Sequence, residues 1–142
     1  MISFELARAL RTAGVRWTPA IGDRFRIERE GFDGDVFTIS DMTIEPHEYP
    51  SGTVLGFNGT TEWALDSVSV EDSLWLPRED QLRELLRGTF RALRRLDAAR
   101  FAVEVELGGR ARVFEDEVAE NAYAEALLTL VSSVAVDLDD VD

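Results

Sequence analysis

Apolar and polar residues repeat along the chain with two different periods, and these periods outline the predicted elements. Residues 3–13 repeat at spacings of three and four, which predicts an N-terminal helix ended by Gly14. Residues 24–28 alternate between apolar and charged, which is typical of a half-buried strand. A turn at residues 30–34 then leads into a second, longer strand over residues 36–44, which is rich in β-branched side chains.

The next part of the chain predicts a loop followed by a hairpin. Residues 46–52 contain two prolines and a glycine, so we expect a loop around His47. Residues 54–57 predict a strand, and Asn58-Gly59 suits the two central positions of a tight hairpin turn. The partner strand is then residues 60–65; a short helix there is the less favoured alternative.

A middle helix follows the apolar segment 74–76. Pro77 fits the first helical position, where its missing N–H costs nothing, so we expect the helix to start there. Leu82, Leu85 and Leu86 form its apolar stripe, and Gly88 is expected to end it.

The segment 89–95 fits either a helix or a strand, and we favour a strand in which Phe90, Ala92 and Arg94 share one face. Residues 101–107 alternate clearly and predict the next strand, with its valines inward and its glutamates outward. Gly108-Gly109 predicts a hairpin turn into a returning strand, residues 110–114. We expect Glu104 and Glu106 to lie opposite Arg110 and Arg112.

The last helix starts near Glu117, is capped by Asp116 and is rich in alanine. Together these elements predict an α+β fold. An antiparallel sheet of two hairpin or meander units carries an N-terminal helix, a middle helix from Pro77 and a C-terminal helix packed on it. We expect one domain over residues 1–136 and an acidic tail over residues 137–142, and the sheet could be continuous across both halves.

The charge is strongly negative, at −13 over 142 residues, and all 15 basic residues are arginine. Direct binding to nucleic acid or to an anionic membrane depends on cationic side chains, so neither is expected. The chain has no cysteine, no signal peptide and no apolar run near the roughly 20 residues that span a bilayer. We therefore expect a cytoplasmic protein with a protein partner, open to homodimerisation through its edge strands.

Catalytic and metal motifs do not emerge from the sequence. His47 is the only histidine, and no serine stands in a nucleophile-elbow pattern, so a surface histidine is favoured. Asp33-Gly34-Asp35 is too short for a calcium loop, and a turn is the favoured prediction. A phosphate loop needs a lysine that the chain lacks. No catalytic residue, metal or cofactor is predicted.

Two groups of side chains remain as candidates for ligand or partner binding. The first contains arginines from the only basic part of the chain, residues 78–112; the alternative is that the acidic C-terminal segment balances them internally. The second contains tryptophans, for which a place in the core is the alternative, together with the lone histidine. The candidate residues are Trp63, Trp75, His47, Arg87, Arg91 and Arg94.

Two stretches also resemble a known family. Gly56-Phe57-Asn58-Gly59-Thr60-Thr61-Glu62-Trp63-Ala64-Leu65-Asp66-Ser67 and Leu74-Trp75-Leu76-Pro77-Arg78-Glu79-Asp80-Gln81-Leu82 are similar to short acidic actinobacterial proteins labelled pilus assembly proteins (CpaE-like, without the ATPase domain). The resemblance implies an association with pilus assembly and no known catalysis.

These observations favour a non-catalytic protein-interaction or adaptor module. One alternative is a small-molecule-binding domain or an enzyme of unrecognised type, with a pocket near Trp63, Trp75 and His47. Another is an acidic mimic of nucleic acid that occupies a nucleic-acid-binding partner.

Overall fold

The computed structural model describes residues 1–32, 34–40, 44–49, 52–57 and 67–139, and for residues 44–49, 52–57, 67–70 and 134–139 it describes the backbone alone. The fold is α+β, as the sequence predicts. The chain divides into two compact units. One, the inserted unit, is Arg16–Leu76; the other, the discontinuous unit, joins Met1–Val15 to Pro77–Asp142.

The elements of the described residues follow one another in chain order. They are α1 (Phe4–Thr12), β1 (Arg24–Ile27), β2 (Val36–Thr38), β3 (Ile44–Tyr49), β4 (Gly52–Phe57), β5 (Ser67–Ser69), a 3₁₀ turn (Val70–Asp72), β6 (Ser73–Trp75), α2 (Glu79–Leu86), a second 3₁₀ turn (Arg87–Thr89), β7 (Phe90–Arg95), β8 (Phe101–Leu107), β9 (Arg110–Asp116) and α3 (Ala119–Asp139). The strands form three separate antiparallel sheets, in the orders β2-β1-β6, β3-β4-β5 and β7-β8-β9. One sheet across both halves is therefore not found among the described strands.

In the discontinuous unit, α3 lies at the centre and contacts α1, α2, β8 and β9. It starts at Ala119, and the Oδ1 atom of Asp116 accepts a hydrogen bond from the Val118 N–H at 2.9 Å, one residue before the helix. The bond therefore orders the turn into α3, and the prediction that Asp116 caps the helix is wrong. The N-terminus of α1 is tied to α3, because the Ser3 N–H donates to Asn121 Oδ1 at 2.8 Å. The buried core includes Leu10, Leu82, Leu86, Val103, Val105, Ala122, Tyr123, Ala126 and Leu127.

The register of the β8–β9 hairpin is set by its two-residue turn. Gly108 and Gly109 have φ of 59° and 80°, which a tight hairpin turn requires. Leu107 therefore pairs with Arg110, and Arg112 lies opposite Val105. The expectation that the outward glutamates face Arg110 and Arg112 is wrong, because both arginines share the face of Leu107 and Val105.

The strand predicted for residues 89–95 is confirmed as β7, with one irregularity. The register against β8 shifts between Phe90 and Ala92, where the strand bulges. Phe90 lies opposite Val105, whereas Ala92 lies opposite Glu104 on the other face. The expectation that Phe90, Ala92 and Arg94 share a face is therefore wrong for Phe90.

The middle helix begins two residues later than predicted. Arg78 is its N-cap, with extended backbone, and Gln81 Oε1 accepts from the Arg78 N–H at 2.9 Å. This bond satisfies a backbone donor at the helix start. Pro77 thus precedes the cap instead of occupying the first helical position.

The residue that leaves this helix in the left-handed region is Arg87, not the expected Gly88. Arg87 has φ 53° and ψ −135°, a conformation that suits glycine and strains a residue with a Cβ. A single strained residue of this kind costs about 1–3 kcal/mol.

We expect Arg87→Gly to raise the free energy of unfolding by about 1 kcal/mol, because it removes this strain at a smaller cost in chain entropy. Arg87→Ala is the matched control, since it removes the same side chain and keeps the Cβ. Urea unfolding of both variants measures the difference. Equal stability for the two variants would contradict the strain.

In the inserted unit, the sheet β2-β1-β6 carries a row of aromatic rings. Phe25 pairs with Phe37 on one side and with Trp75 on the other, so the three side chains share one face. Phe25 is fully buried with Ile27 and Ile39, and Trp17 packs against this cluster.

The sheet β3-β4-β5 corrects the loop predicted around His47, which lies in β3. Pro46 is tolerated there because β3 is an edge strand, where a missing N–H costs no ladder bond. The strand predicted for residues 54–57 is confirmed as part of β4. The turn at Asn58-Gly59 and its partner strand at residues 60–65 lie outside the described residues.

Candidate functional site

The structure locates some of the candidate residues more fully than others. Trp63 lies outside the described residues, and for His47 the backbone in β3 is described without its side chain. Trp75 lies in β6, Arg91 and Arg94 lie in β7, and Arg87 follows α2.

Trp75 is half-buried and stacks on Trp17, with ring centroids 6.4 Å apart and planes 6° from parallel. The Trp17 indole N–H donates to the buried Asp23 Oδ2 at 2.9 Å. The Nε1 atom of Trp75 is buried, and no hydrogen-bond acceptor reaches it in the described part of the chain. The Trp75 ring thus packs in the aromatic cluster, and its Nε1–H is a buried hydrogen-bond donor without an acceptor among the described residues.

Arg91 and Arg94 are bound by glutamates of the neighbouring strand. The Arg91 Nη2 atom lies 3.2 Å from Glu106 Oε2, and Arg94 Nη2 lies 3.0 Å from Glu104 Oε1. These glutamates lie on the outward face of β8, as the alternation of residues 101–107 predicts. Their ionic partners are arginines of β7 and not of β9, since the β9 residues opposite Glu104 and Glu106 are the apolar Val113 and Ala111.

Arg83 occupies a position that the sequence did not single out. Its Nη2 and Nε atoms donate to the Tyr123 hydroxyl at 2.8 and 3.1 Å, and Nη2 also donates to Glu79 at 3.3 Å. Its guanidinium lies 5.1 Å from the centre of the Phe90 ring. The hydrogen bonds from Arg83 to Tyr123 join residues 40 positions apart, so no local pattern could reveal them.

The pKa values of Arg83 and Tyr123 are both raised, whereas the pKa of Asp80 is lowered. The hydrogen bond to the Tyr123 hydroxyl raises the pKa of Arg83, and burial raises the pKa of Tyr123. The Arg78 guanidinium donates to Asp80 at 3.1 Å and lowers the pKa of that carboxyl. The stabilisation from Asp80 is therefore present above the carboxyl's ordinary pKa and is lost as the pH falls through the lowered value.

Four arginine–carboxylate pairs thus lie at the N-cap of α2, on α2 and across β7 and β8, and we call them the arginine–carboxylate network. They are Arg78–Asp80, Arg83–Glu79, Arg91–Glu106 and Arg94–Glu104. Each exposed pair contributes about 0–1 kcal/mol to stability. Their larger effect is electrostatic, because the guanidinium charges are neutralised by carboxylates of the same chain.

One carboxyl carries an energetic cost. Glu125 on α3 has a raised pKa, mainly because burial disfavours its charged form and secondly because Asp116 is nearby. A raised folded-state pKa means that this group opposes folding once the pH exceeds its ordinary value of 4.5.

We therefore expect Glu125→Gln to raise the free energy of unfolding at pH 7 by a few tenths of a kcal/mol, and to lose this benefit below pH 4.5. Urea unfolding at pH 7 and at pH 4 measures both. Glu84→Gln, at an exposed position on α2, makes the same charge change as a control. The same gain in both variants would trace the effect to net charge.

Two features are absent from the described residues. Within the described ranges, no three His, Asp or Glu side chains are grouped so that they could hold a metal ion. None of the helices found there is both long enough and apolar enough to cross a bilayer.

The described residues thus form an α+β fold that carries the arginine–carboxylate network on its surface. Comparisons with protein-family models, curated proteins and solved structures found no match to this chain.

Proposed function

We propose that the protein is a non-catalytic interaction module that binds a basic surface of a partner protein. The arginine–carboxylate network is the observation that carries this proposal. Four of the nine arginines in residues 78–112 are paired with the chain's own carboxylates, and the whole chain carries a net charge of −13, so a partner meets a predominantly negative field.

Charge of this kind favours fast association with a complementary surface and suppresses binding to anions. Exposed carboxylates beyond the network include Glu84, Glu115 and Glu117. Complexes held by such groups weaken with added salt, because the Debye length falls from about 10 Å at 0.1 M to about 3 Å at 1 M.

An affinity pull-down from the native host, read by mass spectrometry, tests the proposal. We expect reproducible partners with basic surfaces at 0.1 M salt and their loss at 1 M. The triple variant Glu84→Gln, Glu115→Gln, Glu117→Gln should recover less of each partner. As a matched control, Arg16→Gln with Arg100→Gln changes exposed charges in the opposite direction and should not reduce recovery.

The identity of the partners separates the related proposals. Pilus assembly components would support the association that the family resemblance implies. Nucleic-acid-binding proteins that are displaced by added duplex DNA would identify the protein as an acidic mimic. Partners that resist 1 M salt and ignore the triple variant would contradict an acidic binding surface. A cytoplasmic location is part of the same proposal, and cell fractionation tests it.

A second candidate function rests on the buried, unsatisfied Nε1 donor of Trp75. A small molecule with an acceptor group could bind this donor, as in the alternative of a ligand pocket near Trp63, Trp75 and His47. Thermal-shift screening against a metabolite library tests it. A hit that Trp75→Phe abolishes while the variant's own melting temperature stays close to wild type would support this function over the first.

A further inference from the structure

The outer edge of the sheet β7-β8-β9 is open at β9. Among the described residues β9 has only β8 as a hydrogen-bonded neighbour, and five of its seven side chains are exposed. In a hairpin with a two-residue turn, the pair that flanks the turn exchanges hydrogen bonds. Since Leu107 and Arg110 form that pair, the peptide groups of Ala111, Val113 and Glu115 point away from β8.

The two edges of this sheet differ in how they are protected. The β7 edge has a bulge, and its exposed arginines include Arg91 and Arg94, features that discourage strand pairing. The β9 edge is regular over seven residues, contains no proline, and places the apolar Val113 at its centre with 54% of its surface exposed. An edge of this kind is suited to accept another strand.

The charges along β9 are arranged so that the strand complements itself. Arg110 and Arg112 occupy its first half, and Glu115 and Asp116 occupy its end. We infer that β9 pairs antiparallel with β9 of a second copy of the chain, about a two-fold axis at Val113. In this register Arg110 of each copy lies opposite Asp116 of the other copy, which gives two symmetric pairs.

The backbone and the other side chains agree with the same register. Val113 lies opposite its own symmetry mate, and Ala111 lies opposite Glu115 of the second copy. The outward peptide groups then match in three pairs, which gives six hydrogen bonds. Arg112 faces Phe114 of the second copy, a ring type that it already covers within its own chain at 5.5 Å.

The neighbouring registers that keep the same peptide groups facing each other are poorer. A shift towards the turn brings Arg112 opposite Arg112 of the second copy. A shift the other way leaves Ala111 opposite residue 117, beyond the end of the strand, so two hydrogen bonds are lost. The contact does not rest on the acidic-partner proposal, because β9 carries two arginines and two acids; Glu115 is the one residue that the two proposals share.

Cross-linking tests the register directly, because the natural chain has no cysteine. In a hydrogen-bonded pair the two Cα atoms lie about 5.5 Å apart, which suits a disulfide. Val113→Cys should therefore form a disulfide-linked dimer on oxidation. Ala111→Cys, on the same strand and face, would lie about 14 Å from its mate and should stay monomeric on a non-reducing gel.

Sedimentation velocity of the uncross-linked chain provides the second arm, at 150 mM salt to screen the long-range repulsion between two acidic chains. We expect a concentration-dependent dimer whose Kd rises about tenfold or more in Val113→Lys, since two like charges then face each other. Val36→Lys, at an exposed valine on the edge strand β2, is the control and should leave the Kd unchanged.

A chain that stays monomeric at all concentrations would overturn the inference. A dimer that survives Val113→Lys, or that cross-links as well through Ala111→Cys as through Val113→Cys, would also overturn it. A dimer weakened by Val36→Lys instead would move the contact to the inserted unit.

Discussion

Replacing Phe25 by alanine should lower the free energy of unfolding of the inserted unit by about 3–5 kcal/mol. Phe25 is fully buried on the central strand β1, and its ring contacts Trp17 at 5.6 Å and Phe37 at 5.5 Å between centroids. The substitution leaves a cavity where three rings met, and aromatic pairs contribute about 0.5–1.5 kcal/mol beyond their buried area.

Tryptophan fluorescence measures this effect well, because Trp17, Trp63 and Trp75 all belong to the segment Arg16–Leu76. Val36→Ala, at an exposed position of the same sheet, should change stability by less than about 0.5 kcal/mol. If Phe25→Ala does not fold, Phe25→Leu provides a milder test. An unmoved fluorescence transition in both Phe25 variants would contradict the aromatic core.

The second large effect is expected at Tyr123 in the discontinuous unit. Tyr123 has no exposed surface, its ring stacks on Phe90 at 5.7 Å, and its hydroxyl accepts both hydrogen bonds from Arg83. Tyr123→Ala removes ring and hydroxyl together and should cost about 3–5 kcal/mol.

Tyr123→Phe is the matched variant, because it keeps the ring and removes only the acceptor. It should cost about 0.5–1.5 kcal/mol, since the half-exposed Arg83 can turn to water instead. Far-UV circular dichroism is the appropriate measurement, because the described α-helices all belong to the discontinuous unit. Equal losses for the two variants would mean that the hydroxyl, and not the ring, carries the stability.

The features predicted correctly from the sequence are those encoded over a few neighbouring residues. The alternation of residues 101–107, followed by Gly108-Gly109, determines a hairpin without reference to the rest of the chain. The N-terminal helix, which ends before Gly14, is local in the same way. Each needs only a period and a turn chemistry, and both are visible in a short window.

The features that were missed depend on distant partners. The sequence predicts a loop at Pro46, because proline usually interrupts a strand. Whether a strand can contain it depends on that strand lying at the edge of a sheet, as β3 does, and the sequence does not show this. The partner of Arg91 could not be identified without the bulge after Phe90, and the Arg83–Tyr123 contact joins two helices. The sequence identified the candidate arginines but not the carboxylates that pair with them. The candidate site therefore changed from a basic patch to a set of arginine–carboxylate pairs.

The division of the chain has a consequence for synthesis on the ribosome. Every residue of the inserted unit is translated before α2 begins, so this unit can fold while the rest is still being made. Helix α1, although translated before α2 and α3, cannot complete its contacts early, because the Asn121 side chain that accepts from the Ser3 N–H lies 118 residues further on. We therefore expect α1, which is translated before the other two described α-helices, to be among the last elements to reach its native place.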